Sequence, residues 1–190
     1  MHYVIIAAGE GSRLQQEGVA VPKPLVNLDG RPMIGRLIDI FMANSPRSLS
    51  VIVNESMTEV RQYLQGLAPT LPCPVRLTVK STPSSMHSLF EATREIDGKF
   101  IATTVDTIFH ADEFAGYADT FRRCTDDGCM GLTGFIDDEK PLYADVDSST
   151  GLITAYRDTP SGNDTYVSGG IYGLTPPAIA ILRDCMAKGV

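Results

Sequence analysis

Apolar residues fall into two rhythms along the chain, and the alternation between them sets the first expectation. Strand-like runs lie at residues 3–8, 50–53, 75–79 and 100–105, and the first of them, continuously apolar from Val4 to Ala8, has the texture of a buried parallel strand. Between them lie stretches with a helical period. Ile34, Leu37, Ile38, Phe41 and Met42 mark one buried helical face, following an Asp29-Gly30 turn, with Pro32 as the first helical position and an end near residues 44–46. A second helix is predicted over residues 57–67, with Val60, Leu64 and Leu67 inward, Ser56 as cap and Glu59 three residues further on. A third begins at Ser84 or Ser85.

From Cys129 onward the texture becomes β-rich. Residues 142–146 and 152–156 flank the turn sequence DSSTG at 147–151 and predict a hairpin. Residues 166–174 form a glycine-interrupted strand, and residues 176–188 a closing helix with Ile179, Ile181, Leu182 and Met186 on its apolar side. The whole reads as an α/β chain: a parallel sheet with crossover helices, carrying an antiparallel appendage. Ligands of such open sheets gather beyond the carboxyl ends of the strands, so the loops at residues 8–13, 54–56, 80–85 and 106–109 are expected to be neighbours.

Composition narrows the ligand. With 190 residues, 43% hydrophobic and 21% charged, the chain has the makings of one globular domain, without internal repeat or low-complexity tract. No apolar run approaches the roughly 20 residues of a membrane helix, and residues 1–8 carry no basic leader, which reads as a cytoplasmic protein. Cys73, Cys124, Cys129 and Cys185 include one Cys-x4-Cys pair with no histidine at finger spacing, so scattered reduced thiols are expected rather than a zinc site. The formal charge of −7 repels nucleic acid. Phosphate binding, if present, must come from local cations, which directs attention to small phosphorylated ligands.

The sequence IIAAGEGSRL at residues 5–14 leaves a buried strand and enters a turn where Gly9 and Gly11 permit close approach of another molecule. The spacing Gly9-x-Gly11-x-x-Leu14 lacks the third glycine of a dinucleotide fingerprint, and no lysine followed by serine or threonine completes a P-loop. What remains is a long loop carrying Ser12 and Arg13, followed by Lys23 between Pro22 and Pro24. Two prolines bias their neighbours toward extended backbone and leave the lysine stem little freedom to lose on binding. A stiff, solvated surface loop would read the same way.

The combination IIAAGEGSRL, VPKPL and DGRPMI closely resembles the amino-terminal signature of the sugar-phosphate nucleotidyltransferases, in order over some thirty residues, with weaker similarity continuing through Asp106 and SGGIY. Glu10 departs from it, standing where a glycine or small residue is common. The resemblance implies a three-layer, Rossmann-like open mixed sheet, the nucleotide-diphospho-sugar transferase fold. It also implies a reaction in which a phosphate monoester attacks the α-phosphorus of a nucleoside triphosphate and pyrophosphate leaves. Carried over to this sequence, Lys23 serves the α-phosphate and Arg13 the leaving pyrophosphate, while Ala7, Ala8, Gly9, Gly11 and Ser12 surround the nucleotide. Asp106 takes the place of the family's Mg2+-binding aspartate, and Gly170 the glycine near the acceptor sugar. Partners are then a nucleoside triphosphate and a phosphorylated small molecule, with no nucleic acid and no membrane.

Each assignment has a plainer competitor. Asp106 caps a strand end; His110 and Asp112 are surface or helix-start residues; Gly169 and Gly170 mark a β-bulge. Ser84 and Ser85, with His87 and Ser88, line a base pocket, or one of the two serines simply caps a helix. The family's second metal carboxylate lies on a segment beyond the Gly-Ile-Tyr strand, and the chain stops at Val190; Asp145, Asp147, Asp158 and Asp164 are expected in turns or edge strands. The sequence therefore expects one nucleotidyltransferase domain, either cut short of that late segment or departing from the family at that site, making an NDP-sugar from a sugar 1-phosphate. A short likeness of SMHSL to choline-phosphate cytidylyltransferases gives an alternative acceptor. A regulatory module that kept the fold and lost the chemistry is a second class of reading, and a dinucleotide-dependent oxidoreductase a distant third.

Overall fold

The computed structural model describes residues 1–9, 18–136, 141–162 and 165–189. Its centre is the strand β1, His2–Ala7, which pairs in parallel with β4, Ser48–Val53, on one side and with β6, Phe100–Thr104, on the other. A further parallel strand, β5 at Val75–Val79, extends the sheet beyond β4. β1, β4 and β6 are buried on both faces and run mostly apolar, whereas the edge strand β5 alternates Val75, Leu77 and Val79 with Arg76 and Thr78 and is only half-buried throughout.

Side chains of β1 alternate between two cores. Tyr3, Ile5 and Ala7 face one, packed with Ile34, Leu37 and Phe41 of α1 (Met33–Met42), Val60 and Leu64 of α2 (Thr58–Leu67), and Phe114 and Phe121 of α4 (Ala111–Arg123). Val4 and Ala8 face the other, against Ala92 of α3 (Ser85–Thr93) and Ile179 of α5 (Pro176–Ala187). Helices thus cover both faces, giving three layers. The rings of Tyr3, Phe41 and Phe114 meet at centroid separations of 4.7–5.6 Å and fasten α1 and α4 to β1.

Beyond β6 the sheet turns antiparallel. The strand β10, Val167–Leu174, pairs with β6 and with β7, Gly128–Thr133; its first residue also pairs with Tyr143 of β8, Tyr143–Val146. β8 and β9 (Ile153–Arg157) form the expected hairpin, and Asp147 Oδ1 accepts the amides of Ser149 and Thr150 at its turn. A register shift in β10 between Ser168 and Ile171 places Gly169 and Gly170 in a bulge, as the plainer reading held. Among the described residues no helix is long and apolar enough to cross a membrane.

Two local expectations fail. Pro32 is not the first helical residue: it pairs with Asn27 across a small hairpin of β2 (Asn27–Leu28) and β3 (Arg31–Pro32), and α1 starts at Met33. The turn of that hairpin places both Asp29 and Gly30 at positive φ, +52° and +82°, as Asp-Gly favours. Ser56 does not cap α2, because its amide and hydroxyl are both given to Asn54 Oδ1, and the cap position falls to Met57 without a side-chain bond. The cap expected at the third helix is real: Ser84 Oγ accepts from the amide of His87. His110 precedes α4, its amide accepted by Glu113, and Asp112 sits in the first turn, so both are helix-start residues.

Candidate active site

The carboxyl ends of β1, β4 and β6, with the segment after β5, surround one cleft of about 450 Å³. Ala8 and Gly9 continue from β1, Asn54 follows β4, and Thr104, Val105 and Asp106 carry the chain out of β6; Thr82, Pro83, Ser84, Ser85 and Ser88 form the wall at the start of α3. Four parallel strands end together, so their following loops have no other place to meet. Of the sequence-derived candidates, the cleft gathers Ala8, Gly9, Lys23, Ser84, Ser85 and Asp106.

Others lie elsewhere. Ala7 is 2% exposed and packs in the core under α1. Gly11, Ser12 and Arg13 lie outside the described residues, as do Glu10 and Asp164. The loop after Asp106 parts company with the cleft, since Thr107, Ile108 and Phe109 border a separate hollow beside α4 and β7. Gly170 lies behind the Asp106 turn, where its carbonyl accepts the hydroxyls of Thr103 at 2.9 Å and Thr107 at 3.2 Å. At φ +72°, a Cβ there would stand 2.6 Å from Thr107 Oγ1.

Lys23 reaches the cleft from an unexpected backbone. Instead of running extended, residues Lys23–Leu25 coil into a 3-10 turn after Pro22, with the amide of Leu25 bonded to Pro22 O at 2.8 Å. Pro24 tolerates this because the second nitrogen of such a turn has no acceptor to lose. Pro24 is buried and anchors the turn, leaving the lysine side chain free to point outward. The Lys23 ammonium lies 2.5 Å from Asp106 Oδ2, although 83 residues separate the two.

Burial pushes the Asp106 carboxyl up, but the Lys23 ammonium and the Thr104 hydroxyl outweigh it and hold the group below the usual carboxylate range. Asp106 is therefore ionised at neutral pH. Both partners of the pair remain partly open to solvent, at 30% and 44% side-chain exposure, so the contact contributes at most about 1 kcal/mol to folding. The pair stabilises the fold little and faces an open cleft, so both groups are accessible to a ligand there.

The opposite wall is made of hydroxyls. Thr82 and Ser88 share a bond of 2.6 Å, Ser84 Oγ lies 2.8 Å from His87 Nδ1, and Ser81 donates to Asn54 Oδ1. Sequence reasoning brought the loops at residues 54–56 and 80–85 here but singled out neither Asn54 nor Thr82. Asn54 organises the floor: its Oδ1 accepts three bonds from Ser56 and Ser81, and its amide approaches Ala8 O at 3.5 Å. Its one sequence signal was an amide side chain directly after a buried strand.

For a divalent cation the donor set is sparse but suitable. Among the described residues Asp106 is the one carboxylate lining the cleft, and no group of three histidine, cysteine or acidic side chains gathers. Such a site cannot cage a metal alone. It matches Mg2+, which keeps its waters and is held by one or two carboxylates together with substrate phosphates.

Comparison with known proteins identifies the family and the fold. Residues 3–139 match the MobA-like NTP transferase domain family. The bifunctional protein GlmU of Streptomyces avermitilis is 26% identical over 167 residues, covering 86% of this chain and 32% of GlmU; that of Rhodospirillum rubrum is 30% identical, covering 82% and 34%. The chain thus spans about a third of these curated relatives' length. Among solved structures, the inositol-1-phosphate CTP transferase from T. maritima superposes with a TM-score of 0.76 at 17% identity, covering 95% of this chain and 72% of that one. A Bacillus anthracis protein provisionally assigned as a glucose-1-phosphate thymidylyltransferase gives 0.82 at 18% identity, covering 95% and 73%. These likenesses confirm the three-layer mixed sheet of the nucleotide-diphospho-sugar transferase fold.

Proposed function

This chain belongs to the MobA-like NTP transferase family, and from that premise we propose that it transfers a nucleoside monophosphate from a nucleoside triphosphate to a sugar 1-phosphate, releasing pyrophosphate and forming an NDP-sugar. A phosphate oxygen of the acceptor forms a bond to the α-phosphorus. The bond from that phosphorus to the bridging oxygen breaks, and pyrophosphate leaves with the electron pair. Two polyanions must approach each other, so most of the protein's contribution is positioning and charge neutralisation.

Lys23 supplies a compact positive charge at the α-phosphate, on a turn already fixed by Pro22 and Pro24. Arg13, by the family pattern, takes the leaving pyrophosphate, where a guanidinium fork matches two phosphate oxygens. The hydroxyls of Ser84 and Ser85 and the backbone at Ala8 and Gly9 offer hydrogen-bond partners to the nucleotide. Asp106 would hold Mg2+, which when bound neutralises phosphate charge. Gly170 is assigned to the acceptor side, where an absent side chain permits close approach.

The observation that carries this reading is the meeting of Lys23 and Asp106 at 2.5 Å in the cleft where four parallel strands end. The deciding experiment measures pyrophosphate release from a panel of nucleoside triphosphates and sugar 1-phosphates, with choline phosphate and inositol 1-phosphate as further acceptors. Turnover that depends on Mg2+ and falls on the order of 10² to 10³ in Asp106→Asn is expected. Tight nucleotide binding without pyrophosphate release would replace the reading with that of a regulatory module.

A further inference from the structure

Resting on that reading, we infer that Thr107 is a positioning residue for Asp106, acting through two hydroxyls that tie the turn bearing the carboxylate to the bulge of β10. Val105 and Asp106 are the central residues of a turn from Thr104 to Thr107. The backbone bond across it, from Thr107 N to Thr104 O, measures 3.3 Å, at the long end for such a bond. The side chains close the same turn more tightly: Thr104 Oγ1 and Thr107 Oγ1 lie 2.9 Å apart. Thr107 Oγ1 also reaches Gly170 O at 3.2 Å. An added Cβ at Gly170 would stand 2.6 Å from Thr107 Oγ1 and 3.3 Å from Thr104 Oγ1, so the absent side chain lets β10 lie against both hydroxyls.

Counting hydrogens gives the pair a direction. The ionised Asp106 carboxylate can only accept, so the single hydrogen of the Thr104 hydroxyl goes to it. Thr104 Oγ1 then accepts from Thr107, whose own hydrogen points across the turn and has Gly170 O as its longer contact. Hydroxyls linked in sequence polarise one another, which strengthens the last bond, the one to Asp106. The fold needs Thr107 less than this line of bonds does. Gly170 O keeps a second donor at 2.9 Å in wholly buried Thr103, so removing the Thr107 hydroxyl does not leave that carbonyl without a partner. The Thr107 side chain itself borders the hollow beside α4, so its influence on turnover runs through the turn.

The test compares wild type, Thr107→Val, Thr107→Ser, Asp106→Asn, and Thr107→Val combined with Asp106→Asn, each shown to be folded by circular dichroism. Thr107→Val keeps the shape without the hydroxyl and is expected to lower kcat for pyrophosphate release about tenfold, within reach of a small misplacement. Thr107→Ser should restore kcat to within about twofold of wild type. In the Asp106→Asn background, Thr107→Val should cost nothing further, because a residue acting through Asp106 has nothing left to position. Apart from turnover, amide exchange at residue 107, read by nuclear magnetic resonance, should quicken in Thr107→Val and recover in Thr107→Ser. Metal-free inorganic tripolyphosphate should bind both variants as it binds wild type.

A folded Thr107→Val protein with wild-type kcat or unchanged amide exchange overturns the inference. So does an equal loss with and without Asp106, a Thr107→Ser protein as impaired as Thr107→Val, or a fall in tripolyphosphate affinity, which would mean that the cleft as a whole is disturbed. The Asp106→Asn control separates these failures from a failure of the underlying reading. Should Asp106→Asn turn over like wild type, the assignment of the cleft falls and the inference with it. Should Asp106→Asn lose turnover while Thr107→Val keeps it, only the positioning role falls.

Discussion

The parallel strands β1, β4 and β6 end in charged clusters at both edges of the sheet, and the two clusters are built from similar parts. At the carboxyl edge, Lys23 meets Asp106 beside Thr104. At the amino edge, His2 Nδ1 lies 2.7 Å from Ser48 Oγ and His2 Nε2 3.2 Å from Asp97, which Arg47 also contacts at 3.2 Å. The second set has the residue types of a hydrolytic triad. Yet His2 is 8% exposed, and none of the four residues borders either of the two hollows described above. Similar groups border an open cleft where the strand ends leave a space and pack against each other where they close. Residue type alone does not separate the two; the room in front of the residues does.

Replacing one residue at each edge should break the symmetry most sharply. At the carboxyl edge, Asp106→Asn should lower turnover by about 10² to 10³ while moving the unfolding free energy by no more than about 1 kcal/mol, read by pyrophosphate release and urea denaturation. At the amino edge the pattern inverts. Ser48→Ala leaves a buried imidazole nitrogen without its partner and should cost about 1–3 kcal/mol of stability, with turnover of the folded fraction unchanged.

Acidity offers a finer separation. Burial, reinforced by the Arg47 charge and opposed by Asp97, holds the His2 imidazole below its ordinary value. The unfolded chain therefore takes up this proton first, near pH 6.5, and stability contributed by neutral His2 is lost as pH falls below that point. Asp106, held low, keeps its contribution until pH falls below about 3.9. Below pH 6.5 the stability difference between wild type and His2→Gln should shrink with decreasing pH until His2 takes up its proton in the folded protein as well. A difference that stays constant would remove His2 as the titrating group. The smallest effect belongs to Arg47→Ala, an exposed partner at 61%, which should change stability at neutral pH by about 0.5 kcal/mol or less. It should also make the acid loss shallower, because Arg47 is one of the charges that keeps His2 neutral.

The sheet's buried strands were legible because continuous apolar runs have few other uses, and α1 and α2 because their apolar positions recur at three and four residues. Pro32 misled because its place is set by pairing with Asn27, and Ser56 because Asn54 competes for its donors. β7 has the glycine-rich sequence Gly128-Cys-Met-Gly-Leu-Thr133, and its strand character comes from lying along β10, a long-range fact. Lys23 and Asp106 were visible through a family pattern. Asn54 and Thr82 were not, since their place in the cleft depends on β4 and β5 ending in register, Val53 beside Val79. Local sequence names the groups that do chemistry more readily than the groups that arrange them.

Gly170 will complicate any mutational survey of this protein. Its left-handed backbone disfavours a side chain and the Thr107 hydroxyl stands where a Cβ would go, so almost every substitution there will score as damaging, whether or not an acceptor ever touches it. Intolerance at that position reports on how the bulge is bolted to the strand that presents Asp106. Assigning it to substrate contact requires ligand affinity measured on protein already shown to be folded.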